Sequence, residues 1–225
     1  MSFNIAIDGP AGAGKSTIAR AAARSLGFLY VDTGAMYRAI ALYLLRHHDQ
    51  PDESEKIEEL LKDMTIRINY VNGEQQIFMN NDNVTGLLRA EEVGYMASRS
   101  SANPKVREKL LQLQRDLARD NDVIMDGRDI GTFVLPNADV KVYLTASVEE
   151  RAKRRYVELK EKGIETDMET IEKDIRDRDY QDMNRTIAPL KQAEDAILID
   201  SSKMTIKEVM DRIVDAFQES LKLKG

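Results

Sequence analysis

Short apolar runs alternate along most of this chain with longer segments whose apolar residues recur at helical spacing. The runs that predict buried strands are residues 3–7, 28–31, 123–125, 140–144 and 197–199. The predicted helices are 15–26, 34–48 and 103–119, followed by helices that open at capping sequences beginning at Ser147, Thr166 and Thr205. Strands separated by helices predict an α/β fold, with a parallel sheet of about five strands and helices on both faces.

One region has a different pattern. Residues 65–70 alternate between apolar and polar side chains, Asn72-Gly73 follows, and residues 75–79 can pair back on the first run. Strict alternation on both sides of an Asn-Gly dipeptide is typical of a β-hairpin. We therefore expect a small antiparallel sheet, inserted into an otherwise α/β chain.

Composition narrows the functional classes. The 225 residues include 33 Lys and Arg against 39 Asp and Glu, a net charge of −6, and no cysteine. An acidic chain argues against non-specific nucleic-acid binding, and the missing thiols exclude disulfides and Cys-ligated zinc. The only histidines, His47 and His48, are adjacent and are expected to form a polar helix end. With no long apolar run and no secretory pattern, we expect a cytoplasmic protein with no membrane partner.

The clearest chemical motif is a phosphate-binding loop. Residues 9–16 fit the pattern G-x-x-x-x-G-K-[ST] between a predicted strand and a predicted helix, which is the context that nucleoside triphosphate binding requires. Lys15 is expected to reach the β- and γ-phosphates, and the Ser16 hydroxyl to ligate Mg²⁺. The predicted ATP-binding residues in this segment are Gly9, Pro10, Ala11, Gly12, Ala13, Gly14, Lys15, Ser16 and Thr17. The chain has no Asn-Lys-x-Asp sequence, which counts against a GTPase.

Arginines in separate segments point to a second phosphorylated ligand. Asp32, Thr33 and Arg38 follow the second predicted strand, Arg128 follows the third, and a cluster lies at 178–185. Because ligands bind at the carboxyl ends of parallel strands, these side chains should lie near the phosphate-binding loop. Each arginine taken alone could equally be a solvated surface charge. Together, they could offset the repulsion between a phosphoryl donor and a phosphorylated acceptor.

The segment 151–185 holds ten Lys or Arg and ten Asp or Glu, with few apolar residues. A helical hairpin of this composition should bury little and be mobile. A mobile flap that carries arginines suits a lid closing over phosphates. Without the phosphate-binding loop, the same segment is also consistent with a solvated hairpin held by i,i+4 charge pairs.

Four motifs, in this order, resemble those of bacterial cytidylate kinases. They are Ile7-Asp8-Gly9-Pro10-Ala11-Gly12-Ala13-Gly14-Lys15-Ser16, Asp32-Thr33-Gly34-Ala35-Met36-Tyr37-Arg38, Asp126-Gly127-Arg128-Asp129-Ile130-Gly131-Thr132, and Arg178-Asp179 through Asn184-Arg185. The match spans nearly the whole chain and includes the inserted hairpin. The resemblance implies transfer of phosphate from ATP to CMP, with dCMP also accepted and Mg²⁺ required, by a monomer.

The resemblance also implies roles for individual residues. Those expected to read cytosine are Ser98, Arg107 and Asp129; those expected to contact the pentose are Arg178 and Asp182. Those expected to bind the acceptor phosphate are Arg38, Arg128 and Arg185, and the lid arginines toward ATP are Arg151, Arg154 and Arg155. Lys15, Arg128 and Arg185 are the expected catalytic residues. Thr33 stands where many relatives carry serine, so its hydroxyl can still contact phosphate or sugar while its methyl could change the ribose preference.

The same resemblance implies a division of the chain by function. It is core at 1–37, 108–150 and 182–225, a monophosphate-binding insertion at 38–107, and a lid at 151–181. Asp32 and Asp126 are expected to orient arginines or Mg²⁺-bound waters. Two alternatives stay open on sequence grounds. One is a kinase for a different acceptor, such as UMP or shikimate, and the other is a nucleotide-binding switch or interaction module.

Overall fold

The computed structural model describes residues 2–47 and 54–224. Its strands are β1 (Asn4–Asp8), β2 (Leu29–Asp32), β3 (Ile66–Val71), β4 (Glu74–Met79), β5 (Asp82–Asn83), β6 (Val123–Gly127), β7 (Val140–Thr145) and β8 (Ile197–Asp200). Its helices are α1 (Lys15–Leu26), α2 (Thr33–Arg46), α3 (Ser54–Lys62), α4 (Glu91–Ser100), α5 (Pro104–Asp120), α6 (Val148–Glu161), α7 (Met168–Asn184) and α8 (Ile206–Lys224). None of the helices in these ranges is long and apolar enough to cross a membrane.

The predicted α/β class is confirmed. Five strands form a parallel sheet in the order β2-β6-β1-β7-β8. The register aligns Asp8 of β1 with Gly127 of β6, and Asp32 of β2 with Asp126 of β6. Three carboxylates therefore stand at the same edge of the sheet, at the carboxyl ends of neighbouring strands.

Both faces of the sheet are covered, as a parallel sheet requires. On one face, α1 and α8 pack against Ile5 and Ile7, with Phe3, Phe28 and Phe217 in contact at one end. On the other face lie α2, α5 and the inserted sheet, around fully buried residues that include Met36, Ile40, Leu110 and Met125. The larger of the two cores thus joins the insertion to the body of the protein.

The capping residues confirm most of the predicted helix starts. Asn103 accepts from the Lys105 amide and precedes a proline at the first helical position, and Ser147 accepts from the Glu150 amide. Thr205 and Glu208 cap α8 reciprocally. The expected cap Thr166 is wrong: the N-cap of α7 is Asp167, whose carboxylate accepts from the Thr170 amide at 2.8 Å. Of the two histidines, His47 follows the last residue of α2, while His48 lies outside the described residues.

The inserted hairpin is also confirmed, as a three-stranded antiparallel sheet in the order β3-β4-β5. Asn72 and Gly73 both adopt positive φ, 53° and 77°, as the tight turn between β3 and β4 requires. In the sequence, α3 precedes this sheet and α4 follows it; the hydrophobic pattern did not predict either helix. The predicted functional boundaries at 38, 107 and 181 fall inside α2, α5 and α7, so continuous helices connect the predicted segments.

The charged hairpin buries more than its composition suggested. Helices α6 and α7 enclose a small apolar cluster made by Ala152, Leu159, Ile171 and Ile175. Two apolar residues from each helix are enough to hold the pair together because they meet at helical spacing on the facing sides. The expectation that this hairpin buries little is therefore wrong, since it has a core of its own.

Candidate active site

The loop between β1 and α1 has a backbone shape suited to an anion. Gly9, Gly12 and Gly14 have φ values of 149°, 76° and 89°, which side chains rarely allow. A Cβ on Gly9 would overlap the Leu144 carbonyl oxygen, so only glycine lets β1 and β7 approach this closely. The N-terminus of α1 follows directly at Lys15. Loop amides and a helix N-terminus together favour phosphate.

Lys15 is buried inside this loop. Its ammonium donates to the Pro10 carbonyl at 2.7 Å, which folds the side chain back over the loop. Burial, followed by repulsion from Arg128, lowers the pKa of Lys15. Phosphate oxygens in the loop would compensate for both effects, because they would supply the negative charge that a buried ammonium lacks.

A carboxylate at the end of β6 lies beside the first turn of α1. Asp126 accepts from the Ser16 hydroxyl and from the Tyr30 phenol, each at 2.9 Å. Burial, followed by the negative charge of Asp32, raises the pKa of Asp126. A serine hydroxyl and two neighbouring carboxylates form an all-oxygen set at the entrance to the phosphate-binding loop.

Asp8 connects the phosphate-binding loop to the turn that carries Asp129. Its two carboxylate oxygens accept from the amides of Ile130 and Gly131, both at 2.7 Å. These amides begin a π-helical turn at Ile130–Val134. Burial raises the pKa of Asp8 to about 6, although the two amide donors partly offset it.

Asp129 is a buried carboxylate held by two arginines. Arg107 of α5 donates to one oxygen, and Arg185 donates to the other at 2.9 Å. The Arg107 guanidinium also lies over the rings of Tyr37 and Phe133, 5.7 and 5.5 Å from their centroids. The pair thus presents a donor and an acceptor side by side between aromatic walls.

A second ion pair lies next to the first. Arg128 donates to Asp182 of α7 at 2.8 Å, and Arg185 stands 3.9 Å from the same carboxylate. Burial is the largest single effect and would raise the pKa of Asp182, but the charge and hydrogen bond of Arg128, together with the charges of Arg185 and Arg178, hold that pKa below its usual range. Burial and the nearby Arg128 lower the pKa of the Arg178 guanidinium, whose positive charge stands in the same cluster. An excess of positive charge gathers here, which favours an anionic ligand.

The start of α2 adds one more arginine. Asp32 caps the helix by accepting from the Ala35 amide at 2.8 Å, and its carboxylate lies 3.6 Å from Arg38. Thr33 is buried, and its hydroxyl donates to the Asp126 carbonyl at 2.7 Å. That bond ties the start of α2 to the end of β6.

A family profile described as cytidylate kinase matches residues 5–219 of this sequence. The chain belongs to the cytidylate kinase family. A cytidylate kinase from Caldicellulosiruptor saccharolyticus is 52% identical over 215 residues, covering 96% of this chain and 95% of the relative. One from Geobacillus sp. strain WCH70 is 48% identical, with 98% of each chain covered. An uncharacterized protein from Eubacterium ventriosum, at 12% identity, shares the fold with a TM-score of 0.54 over 95% of this chain and 97% of that one.

In this cytidylate kinase family member, the three arginines of the predicted lid occupy different environments. Arg151 is buried and forms a two-pronged bridge to Asp179, at 3.0 and 2.6 Å, while also donating to the Ala11 carbonyl of the phosphate-binding loop at 3.0 Å. Arg154 donates to the Ala13 and Ser201 carbonyls, at 3.4 and 3.0 Å. Arg155 pairs instead with Glu158 on its own helix at 2.9 Å. Two of the three therefore touch backbone at the predicted ATP site.

Ion pairs and neighbouring charges bring most of the predicted acceptor residues close together. The group comes from four parts of the chain. These are α2 (Arg38), α5 (Arg107), the turn after β6 (Arg128 and Asp129), and α7 with the residue that follows it (Arg178, Asp182 and Arg185). Ser98 lies on α4 and connects to this group through its neighbours: its carbonyl accepts from the Ser101 hydroxyl, and the Ser101 carbonyl accepts from Arg107.

Sequence reasoning assigned no site role to several residues that the structure places here. Tyr37 and Phe133 flank Arg107, Tyr30 bonds Asp126, and Asp8 holds the turn after Asp129. Tyr37 and Asp8 stand inside motifs that the resemblance covers. Tyr30 and Phe133 lie in or beside apolar runs. An aromatic residue in such a run is ordinarily part of the core, so nothing in the sequence indicated that either one lies at a site.

Proposed function

We propose that this protein transfers the γ-phosphoryl group of ATP to CMP or dCMP, which yields ADP and CDP or dCDP. The observation that carries the proposal is the buried Arg107–Asp129 pair, which lies at the same sheet edge as the phosphate-binding loop. Asp8 joins the two, because it ends β1 before the loop and bonds the turn after Asp129. Donor and acceptor would therefore meet over the carboxyl ends of β1 and β6.

The pair suits cytosine rather than uracil. Cytosine offers an N4 amino donor beside the N3 and O2 acceptors, so a carboxylate can accept from N4 while a guanidinium donates to N3 or O2. Uracil instead has an acceptor at O4 and a donor at N3–H, so the Asp129 carboxylate would face another acceptor and Arg107 could donate only to O2. Sites of this kind can discriminate by up to about 10⁴. Asp129 keeps lone pairs for N4 even though two arginines donate to it.

The transfer step needs no nucleophilic side chain and no dedicated base. An oxygen of the acceptor phosphate attacks the γ-phosphorus, and the oxygen that bridges the β- and γ-phosphates leaves with the bonding pair. Lys15 would stabilise charge on the β- and γ-phosphates, while Arg38, Arg128 and Arg185 would hold the acceptor phosphate in line. Arg154, which already bonds the phosphate-binding loop, would contact ATP from the proposed lid, whereas Arg155 would have to leave Glu158 to do so.

The residues beside the loop fit Mg²⁺. Ser16, Asp126 and Asp32 offer hard oxygen atoms. Burial, followed by the negative charge of Asp32, raises the pKa of Asp126, and a bound cation would offset both effects. Within residues 2–47 and 54–224, no cluster of three or more His, Cys, Asp or Glu could hold a metal by itself. When bound, Mg²⁺ supplies neutralisation of the triphosphate charge.

Cytoplasmic location, a monomeric state, and the lack of membrane or nucleic-acid partners stay predictions. The net charge of −6 supports the lack of a nucleic-acid partner, because it disfavours non-specific binding of a polyanion. ATP and CMP or dCMP are the proposed partners. The division into core, insertion and lid likewise stays a proposal about function.

The test is ADP formation from ATP and Mg²⁺ with CMP, dCMP, UMP, AMP, GMP and shikimate in parallel. Turnover with CMP and dCMP alone is the expected result. Turnover with a different acceptor would keep the kinase chemistry and overturn the cytosine assignment. ATP binding without turnover on any acceptor would instead favour a nucleotide-binding module.

A further inference from the structure

The outer edge of the central sheet is bonded by side chains of the insertion. Strand β2 is an edge strand, so its outward backbone groups have no neighbouring strand. Gln75 of β4 fills part of this gap: its carboxamide oxygen accepts from the Asp32 amide at 2.8 Å, and its NH₂ donates to the Asp32 carbonyl at 3.2 Å. The Tyr70 phenol donates to the Tyr30 carbonyl at 3.0 Å. One glutamine thus pairs with the backbone of Asp32 as a strand residue would.

Asp32 is the residue through which this contact reaches the candidate active site. Its backbone pairs with Asp126 on the inner side and with Gln75 on the outer side. Its carboxylate caps α2 and lies 3.6 Å from the Arg38 guanidinium. A shift of the Asp32 backbone would therefore carry both the first turn of α2 and the partner of Arg38 with it.

The hairpin is anchored next to Gln75 by a second contact. Glu74 pairs with Arg24 and lies 3.6 Å from Arg20, both on α1. Gln75, Asp32 and Arg38 line one cleft between β2, α2 and the insertion. Because this cleft leaves Gln75 half-buried, its carboxamide is not needed to fill the apolar core.

We infer that Gln75 is a positioning residue for the acceptor phosphate, acting through Asp32 on Arg38. The hydrogen bonds of one side chain would couple the placement of the insertion to the orientation of the arginine that receives the phosphate. The inference rests on the proposed function, because it assumes that Arg38 binds the acceptor. A glutamine suits this role because its carboxamide carries an acceptor and a donor on separate atoms, so it can accept from and donate to the same backbone residue at once.

The first test compares Gln75→Leu with Gln76→Leu. The two glutamines are neighbours on β4, but Gln76 accepts from Asn83 within the hairpin. We expect Gln75→Leu to raise KM for CMP about fivefold, the effect of losing roughly one hydrogen bond, with KM for ATP changed less than about twofold. Gln76→Leu should leave both constants unchanged. Equal rises in both constants, or no change in KM for CMP, would overturn the inference.

The second test separates positioning from stability. If Gln75 acts through Arg38, the double variant Gln75→Leu/Arg38→Met should have the same KM for CMP as Arg38→Met alone. If instead Gln75 only stabilises the insertion, the two effects on KM should multiply, and that result would contradict the inference. The assays use whichever monophosphate the wild-type enzyme phosphorylates, so a wrong CMP assignment would appear in the wild type and leave this comparison intact.

Discussion

The donor and acceptor sites of this protein are built in opposite ways. The donor site is one unbroken segment, Gly9–Ser16, whose backbone supplies most of the expected phosphate contacts and whose one buried cation is Lys15. The acceptor site draws side chains from four parts of the chain, and ion pairs hold them in place. The Asp129 carboxylate, for example, accepts hydrogen bonds from two arginines that lie 22 and 56 residues away in the sequence.

This difference predicts how each site responds to substitution. Because the loop backbone supplies most of the expected phosphate contacts, substitutions at the donor site should have their largest effect at Lys15 and at the glycines. In the acceptor network, each charge neutralises its neighbours, so a single change should spread to several contacts. Substitution of Lys15 at the donor site should therefore lower kcat, whereas substitutions in the acceptor network should change the preference among nucleoside monophosphates.

The largest effect is expected for Lys15→Met. Methionine keeps the length and suits burial, so the fold should persist, while the charge that stabilises the transferred group is lost. We expect kcat to fall by about 10³-fold, measured as CMP-dependent ADP formation. Lys153→Met, an exposed lysine on α6, is the matched control and should retain full activity. Near-normal kcat in Lys15→Met would rule out the role of this lysine in transfer.

Next in size is a change of base preference in Asp129→Asn. The asparagine oxygen can still accept from an arginine, but its NH₂ would face the N4 amino donor of cytosine and could donate to O4 of uracil. We expect the ratio of kcat/KM for CMP to that for UMP to fall by about 10²-fold. Both substrates are assayed on the same sample, so any loss of folded protein cancels from the ratio. An unchanged ratio would remove Asp129 from base recognition.

A smaller effect should distinguish two adjacent arginines on the lid. Arg154 bonds backbone at the phosphate-binding loop, whereas Arg155 pairs with Glu158 on α6. We therefore expect Arg154→Met to raise KM for ATP about fivefold and Arg155→Met to change it less than about twofold. KM for CMP should stay constant in both variants. A larger effect at Arg155 would mean that the lid moves further on closing than these contacts suggest.

The smallest expected effect is on the pH dependence of the unfolding free energy. It comes from Asp8, whose carboxylate joins the phosphate-binding loop to the turn after Asp129. The folded-state pKa of Asp8 is raised to about 6, above its unfolded value of 3.8, so its contribution to stability is present at low pH and lost as pH rises through about 6. Asp8→Asn cannot titrate. The wild-type advantage in unfolding free energy over this variant should shrink by about 1 kcal/mol between about pH 5 and about pH 7. Parallel denaturation curves at each pH measure this difference, and an advantage that grows with pH would have the wrong sign.

The same contrast explains which features of the fold and the site could be predicted from the sequence. The loop at 9–16 is contiguous, so its motif and its flanking pattern predicted the donor site by themselves. The strands and the Asn72-Gly73 turn were equally local. The pairing of Arg107 with Asp129 and of Arg151 with Asp179 depends on which helices meet, and each residue alone resembled a solvated charge. Thr166 and Glu169 have the spacing of a capping box, which predicts Thr166 as the cap, but Asp167, one residue later, also carries a side-chain acceptor and is the N-cap in the structure.

Aromatic residues show a second limit of prediction from the sequence. Tyr37 and Phe133 sit at spacings that suit a core, and only the fold places both rings beside the Arg107 guanidinium. Gln75 gave no signal at all, because a glutamine on a hairpin strand is ordinarily a solvent-facing residue. Its partner is the backbone of Asp32, 43 residues earlier in the chain.

The central claim is that cytosine is recognised by the Arg107–Asp129 pair. The most direct measurement is a crystal structure with CMP and a non-hydrolysable ATP analogue bound together. We expect the N4 amino group at hydrogen-bond distance from the Asp129 carboxylate, about 2.7–3.2 Å, with the Arg107 guanidinium facing N3 or O2 and the CMP phosphate turned toward Arg38 and Arg128. A pyrimidine ring bound away from this pair, with Asp129 still engaged only by its two arginines, would contradict the account.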